Sequence, residues 1–157
     1  MNRVSKFGLA ALCSVAAISV GMAQSKPSEQ QAQNAVKVRK ALFDVQNFAF
    51  SPVMAMLKRQ EPFNAQDVVT AAKRVEMTAS IIPEVFKVDT RNSSVSTKAR
   101  DGIWTNMADF KQKAANLETA AQNLQQAAMS GDQGATMRAA GMTGKACGSC
   151  HDEFRNK

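Results

Sequence analysis

Apolar residues recur at intervals of three and four along most of the chain, which is the spacing of helices that bury one face. The first such stretch runs from Ser28 to Gln60. Pro52 interrupts it, but the periodicity continues beyond the proline, so we predict one helix with a bend. The second stretch begins at Asn64, whose side chain suits an N-cap, and ends near Pro83. Two long helices are therefore expected in the first half of the chain.

A polar segment, residues 88–97, precedes two further periodic stretches. The third helix has apolar positions that alternate spacings of four and three, as in a left-handed helical bundle. These positions are Ile103, Met107, Phe110, Ala114, Leu117, Ala121, Leu124 and Ala128. A fourth helix is predicted from about Gln133, with Met137, Ala140, Gly144, Cys147, His151 and Phe154 on one face. No segment has the two-residue period of a strand, so the sequence predicts an all-α protein.

The N-terminus has the pattern of a secretory signal peptide. Two basic residues, Arg3 and Lys6, precede an apolar run over residues 7–20, and small residues follow at Gly21 and Ala23. The run is shorter than the roughly 18–20 apolar residues of a membrane-spanning helix. We therefore predict a signal peptide over residues 1–23, a mature domain over residues 24–157, a periplasmic location and no membrane insertion after cleavage.

Charge and cysteine content narrow the function of the mature chain. The whole sequence has 20 basic and 13 acidic residues, and loss of Arg3 and Lys6 lowers its formal net charge from +7 to +5. The basic residues are scattered and tyrosine is absent, which argues against nucleic-acid binding. Cys13 leaves with the signal peptide, so the mature protein keeps two cysteines.

Both remaining cysteines belong to Cys147-Gly148-Ser149-Cys150-His151, the signature of covalent c-type haem attachment. Two thiols about one helical turn apart can add to the two haem vinyl groups, and the adjacent imidazole can ligate the iron. His151 is the single histidine of the chain. The motif therefore predicts one covalent haem c, attached through Cys147 and Cys150, with His151 as the iron ligand.

Two other kinds of site use the same residue types. A thiol oxidoreductase could use Cys147 and Cys150, but its motif normally lies at a strand-to-helix junction. A structural zinc site would have three ligands from nearly adjacent residues, which fit one tetrahedron badly. Six residues follow His151 and none is a methionine or histidine, so a sixth iron ligand would have to come from upstream.

Four stretches of the mature chain resemble the cytochromes c′, the class II c-type cytochromes. They are Val38-Arg39-Lys40, residues 60–65, residues 103–112 and the segment from Cys147 to Arg155. The resemblance covers nearly all of the mature chain. It implies an antiparallel, up-down-up-down four-helix bundle with haem c near the C-terminal end of the last helix.

The resemblance also implies roles for single residues. Arg39 would lie by a haem propionate with Lys40 at the same rim, Phe43 would face the open side of the iron, and Arg155 would lie beside the proximal haem face. Each has a plainer interpretation: a solvated basic pair, a core phenylalanine, and a cation at a helix C-terminus. Phenylalanine cannot coordinate iron, so the resemblance implies a five-coordinate haem. Met54 and Met56 are rival ligands, but their register places them toward the far end of the bundle.

The function that follows from the resemblance is gas binding rather than enzymatic catalysis. A five-coordinate iron would bind nitric oxide and carbon monoxide, for sequestration or detoxification of nitric oxide. The alternative is one-electron transfer to a redox partner protein, which in a low-spin carrier of the c556 type would require a methionine ligand. The resemblance further allows a homodimer formed through the first helix.

Overall fold

Four long helices and one short helix form the fold. The computed structural model describes residues 26–157, so the predicted signal peptide lies outside the described residues. The helices are α1 (Glu29–Leu57), α2 (Ala65–Val85), α3 (Gly102–Thr105), α4 (Met107–Met129) and α5 (Gln133–Phe154). The long helices pack as an antiparallel four-helix bundle, which confirms the predicted fold class. None of the helices within residues 26–157 is long and apolar enough to cross a membrane.

Side-chain caps fix where three of the helices begin. Ser28 accepts a hydrogen bond from the Gln31 backbone and the Gln31 side chain accepts one from the Ser28 backbone, which is a capping box. Asn64 accepts from the second and third residues of α2, and Asp132 accepts from Ala135 at 2.8 Å. The predicted starts of the second and fourth helices are thereby confirmed.

Prolines lie within the first two helices and do not end them. Pro52 lies inside α1, as predicted for one continuous helix. Pro83 also lies inside α2, which ends two residues later than its predicted end near this proline. A proline lacks one N–H donor, but flanking turns packed on a core keep the helix formed.

The predicted single third helix is wrong at its start. The backbone leaves helical geometry at Asn106, with φ −130° and ψ 52°, so a one-turn α3 precedes α4. The Asn106 amide donates to the Gly102 carbonyl at 2.9 Å and closes that turn. Ile103 stays buried at 1% exposure, so the apolar face continues across the break. Periodicity shows which residues are buried but not whether the helix is continuous.

Small residues let α2, α4 and α5 pack closely. Ala72, Ala79, Ala121 and Ala140 are fully buried at 0% exposure. The Thr143 hydroxyl donates to the Ala120 carbonyl at 3.2 Å, a contact that needs the α4 and α5 backbones near each other. By contrast α1 and α5 touch sparsely, where a Cβ on Gly144 would lie 3.7 Å from the Met54 sulfur. The bundle is therefore tightest away from the α1–α5 side.

Candidate haem-attachment site

The Cys147–His151 motif lies wholly within α5, in its last two turns. Both cysteines are free thiols that are half-buried against the core, whereas His151 is exposed. A Cβ on Gly148 would meet nothing within 4 Å, so the backbone between the cysteines is open to close approach. Two reduced thiols one turn apart and a neighbouring imidazole are the donors that covalent haem c requires, so the residues present fit this group.

The ionisation of these groups argues against a thiol oxidoreductase. Burial raises the pKa of Cys150 to about 11, and the charge of Lys113 offsets this shift in part. Burial also raises the pKa of Cys147. Redox-active cysteines have lowered pKa values, because the thiolate is the nucleophile. The strand that such a motif would follow is also absent from residues 26–157.

The surroundings of His151 favour the neutral form of its imidazole. Desolvation lowers the pKa of His151, the charge of Arg155 lowers it further, and Asp152 opposes both. A neutral imidazole has a free nitrogen lone pair for a metal. A zinc site receives no support, since no group of three histidine, cysteine or acidic side chains in the described part of the chain could hold a metal ion.

A short backbone pairing holds the C-terminal end of α5, the motif helix, against residues 98–100. The Arg100 amide donates to the Phe154 carbonyl at 3.0 Å, and the Asn156 amide donates to the Lys98 carbonyl at 2.8 Å. The Arg100 guanidinium also donates to the carbonyls of Asp152 and Glu153, at 3.0 and 3.1 Å. Carbonyls in the last turn of a helix lack intrahelical donors, and Arg100 supplies hydrogen-bond donors to these carbonyls. The turn that carries His151 is held from outside the helix.

Helix α4 contributes a polar cluster against the motif. Lys113 donates to the Ser149 hydroxyl at 3.0 Å and lies 3.4 Å from the Glu153 carboxylate. One Asp109 oxygen is buried without a hydrogen-bond partner, and the Asp109 charge contributes to the raised pKa of Cys150. Neither Lys113 nor Asp109 was predicted to serve the site, because the contacts join positions far apart in sequence.

Arg39, predicted from the resemblance to lie by a propionate, is buried at 3% exposure. Its guanidinium donates to the Val85 carbonyl at 2.9 Å, to the Thr90 hydroxyl at 2.9 Å and to the Val88 carbonyl. Burial lowers the pKa of Arg39 to about 10, the charge of Asp89 opposes that shift, and the side chain remains a cation at neutral pH. The propionate contact stays a prediction, since the guanidinium has more N–H groups than these three acceptors use.

The remaining predicted residues fall into two groups at the same end of the bundle. Phe43 is half-buried on α1 with its ring centroid 6.3 Å from that of Phe86, and Lys40 is exposed one turn away. Arg155 is exposed at the C-cap of α5, where its amide donates to the His151 carbonyl. Because α1 and α5 are antiparallel, the first half of α1 lies at the end where α5 finishes.

Met54 and Met56 lie away from that end. Met54 is half-buried at the level of Gly144, seven positions before His151 in α5. Seven residues of helix span roughly 10 Å. Met56 is buried at 9% exposure further along α1, toward the opposite end. Their placement agrees with the register read from the sequence.

The fold and the motif together define a four-helix-bundle c-type haem protein. The model of the family described as Cytochrome C′ matches residues 34–155, and the chain belongs to the cytochrome c′ family. Its cofactor is covalently attached haem c.

Three relatives illustrate the match. The solved cytochrome c prime from Shewanella frigidimarina is 32% identical with a TM-score of 0.75, over 82% of this chain and 98% of that one. A nitric oxide complex of a mutant cytochrome c prime from Alcaligenes xylosoxidans is 27% identical with a TM-score of 0.71, over 80% and 96%. Cytochrome c-556 from Agrobacterium tumefaciens is 34% identical over 109 residues, 69% of this chain and 86% of that protein.

Proposed function

We propose that this protein is a periplasmic haem c protein whose five-coordinate iron binds nitric oxide and carbon monoxide, and that it sequesters or detoxifies nitric oxide. Cys147 and Cys150 hold the haem through thioether bonds, and His151 ligates the iron. The observation that carries the proposal is the position of Phe43. This residue lies half-buried at the end of the bundle where α5 finishes, and its side chain has no atom that can coordinate iron.

The chemistry of the Phe43 side suits nitric oxide. The haem iron supplies the binding position for the gas, and the protein decides access and polarity around it. Dioxygen binding is helped by a distal hydrogen-bond donor, which a phenylalanine ring lacks. Nitric oxide depends less on such help. The nitric oxide complex of the mutant Alcaligenes xylosoxidans protein supports this ligand, because that fold is the one seen in this chain.

The spectra of the ferric, ferrous, carbonyl and nitrosyl forms test this proposal. We expect high-spin ferric and ferrous forms and a spectral change on addition of either gas. A matched control is Cys147→Ser with Cys150→Ser, which should lose the covalent haem while keeping the helices. A sharp low-spin α band in the ferrous protein would instead indicate a methionine ligand and one-electron transfer to a redox partner protein.

We propose that residues 1–23 are a signal peptide that directs export to the periplasm. The basic start, the apolar run and the small residues before Gln24 support it. Expression of the full-length chain followed by N-terminal sequencing should give a mature protein that begins at Gln24. A protein that keeps Met1 would contradict cleavage.

A homodimer formed through α1 is supported by an exposed apolar stripe on that helix. Three of its members are large and are exposed by about half or more: Val38 at 51%, Val45 at 49% and Phe48 at 72%. The full stripe is Val38, Ala41, Val45, Phe48 and Pro52, with Met77 and Ile81 of α2 also exposed. Spacings of three and four are those of helices that pair along a seam, so we propose that a second copy packs its α1 here.

Charge placed in the stripe tests the dimer. We expect Val45→Glu to convert a dimer into a monomer in light scattering coupled to size exclusion, because a buried carboxylate without a partner is costly. Met129→Glu is the control, since Met129 is 68% exposed at the far end of α4. A wild-type protein that is monomeric at all concentrations would contradict the proposal.

A further inference from the structure

We infer that Arg39 is a positioning residue that holds the chain following α2 in place. It thereby positions Phe86 and Trp104, which form a wall of aromatic side chains beside Phe43. The role in gas access rests on the proposed function, whereas the fastening itself does not. This role differs from contact with a haem propionate, because the groups bound by the guanidinium belong to the protein.

The hydrogen bonds of Arg39 converge on one short segment. Their acceptors, Val85, Val88 and Thr90, span the end of α2 and the first residues after it. Carbonyls at a helix C-terminus have no donor within the helix, and Val85 is the last residue of α2. A cation buried beside such carbonyls forms charge-assisted hydrogen bonds, which are the strong class. Arg39 therefore fixes the direction in which the chain leaves α2.

Aromatic contacts complete the arrangement. The guanidinium carbon of Arg39 lies 4.5 Å from the centroid of Phe86 and 5.3 Å from that of Trp104. Trp104 donates its indole N–H to the Phe86 carbonyl at 3.0 Å. Burial of the cation against two rings strengthens its attraction to them. Phe86 and Trp104 are thus joined to each other and to Arg39.

Phe86 connects this aromatic wall to the proposed gas site, because it packs against Phe43. Its ring centroid lies 6.3 Å from that of Phe43 and 4.9 Å from that of Phe110. Phe86 is itself buried at 4% exposure, so it cannot move without displacing Phe43 or Phe110. Loss of Arg39 would free the segment that carries Phe86, and the packing that restrains Phe43 would loosen.

The shape of the guanidinium, and not only its charge, is required. The three acceptors lie in different directions, and a planar fork satisfies them while stacking on the rings. Asp89 is the nearby anion, but its carboxylate is held by Arg91 at 2.6 Å and forms no hydrogen bond with Arg39. Lysine would keep the positive charge but lacks the planar set of N–H donors. Arg39→Lys therefore distinguishes a positioning role from a purely electrostatic one.

The test uses the full ferric holoprotein with Arg39→Lys, Thr90→Val and the exposed control Lys37→Gln. We expect Arg39→Lys to speed hydrogen exchange of the Trp104 indole N–H and of amides 86–90 by about tenfold or more. Thr90→Val, which removes one acceptor, should give a smaller increase, and Lys37→Gln should match wild type. Carbon monoxide should also bind the ferrous Arg39→Lys protein faster than wild type.

Two results would overturn the inference. One is wild-type exchange at Trp104 and amides 86–90 in both Arg39→Lys and Thr90→Val. The other is a changed pH dependence of the reduction potential in Arg39→Lys with exchange unaltered, which would assign Arg39 to a propionate alone. A wild-type protein that carries no haem would contradict the proposed function instead, while indole exchange would still measure the fastening.

Discussion

Phe43 is the residue that we propose controls ligand access most directly. We predict that Phe43→Ala speeds carbon monoxide binding to the ferrous protein by about tenfold, because a small side chain no longer blocks the approach to the iron. Flash photolysis measures the rate. Met129→Ala is the control, since Met129 is 68% exposed at the far end of α4. An unchanged rate in Phe43→Ala would show that Phe43 does not guard the iron.

Single residues differ in how far the sequence could predict them. The roles proposed for Cys147, Cys150 and His151 follow from a local motif, and all three residues lie on the last two turns of α5. The acceptors of Arg39 lie 46, 49 and 51 positions away in sequence, so no spacing rule could predict them. The position of Arg39 on the buried face of α1 was the one available signal, because a buried arginine needs partners.

At the scale of elements, two glycines give a matched pair of substitutions, one in the turn between α4 and α5 and one inside α5. Gly131 has φ 77°, so Gly131→Ala should destabilise the protein by about 1–2 kcal/mol. Gly141 lies inside α5, where a Cβ meets nothing within 4 Å, so Gly141→Ala should stabilise by up to about 1 kcal/mol. Urea unfolding followed by circular dichroism measures both. Shifts of the same sign would contradict these helix boundaries.

The helices themselves were predicted more accurately than the breaks between them. Caps at Asn64 and Asp132 are local, and both bind the backbone groups that their type predicts. The break at Asn106 was missed because Ile103 and Phe110 on either side are both buried and keep the period. The neighbouring helices decide which residues are buried. Periodicity therefore does not detect a change of backbone direction that leaves the spacing of buried residues intact.

For the whole molecule, the close packing of small residues in α4 against its neighbours makes a quantitative prediction. Ala121 is buried at 0% exposure, so Ala121→Leu should destabilise the fold by about 1–3 kcal/mol through overpacking. Ala115→Leu is the control, since Ala115 is exposed on the same helix. Thermal unfolding compares the two. Equal stability of both variants would mean that the bundle has room along α4.

The bundle arrangement was predictable only in part. Four amphipathic stretches indicate a bundle, and the resemblance supplied its up-down-up-down order. The sparse contact between α1 and α5 was not predictable, because it depends on where Gly144 meets Met54 and Phe50 across the bundle. Phe43 and His151 belong to these two helices, α1 and α5.

The chain between α2 and α3 is attached near both of its ends to parts of the haem-attachment site. Its first residues are bound by Arg39, beside Phe43, and residues 98–100 pair with the end of the motif helix. A shift of the turn that carries His151 would therefore reach the segment bound by Arg39 through these hydrogen bonds and the backbone of residues 86–101. One segment of backbone thus connects the end of the motif helix with Phe86, which packs beside Phe43.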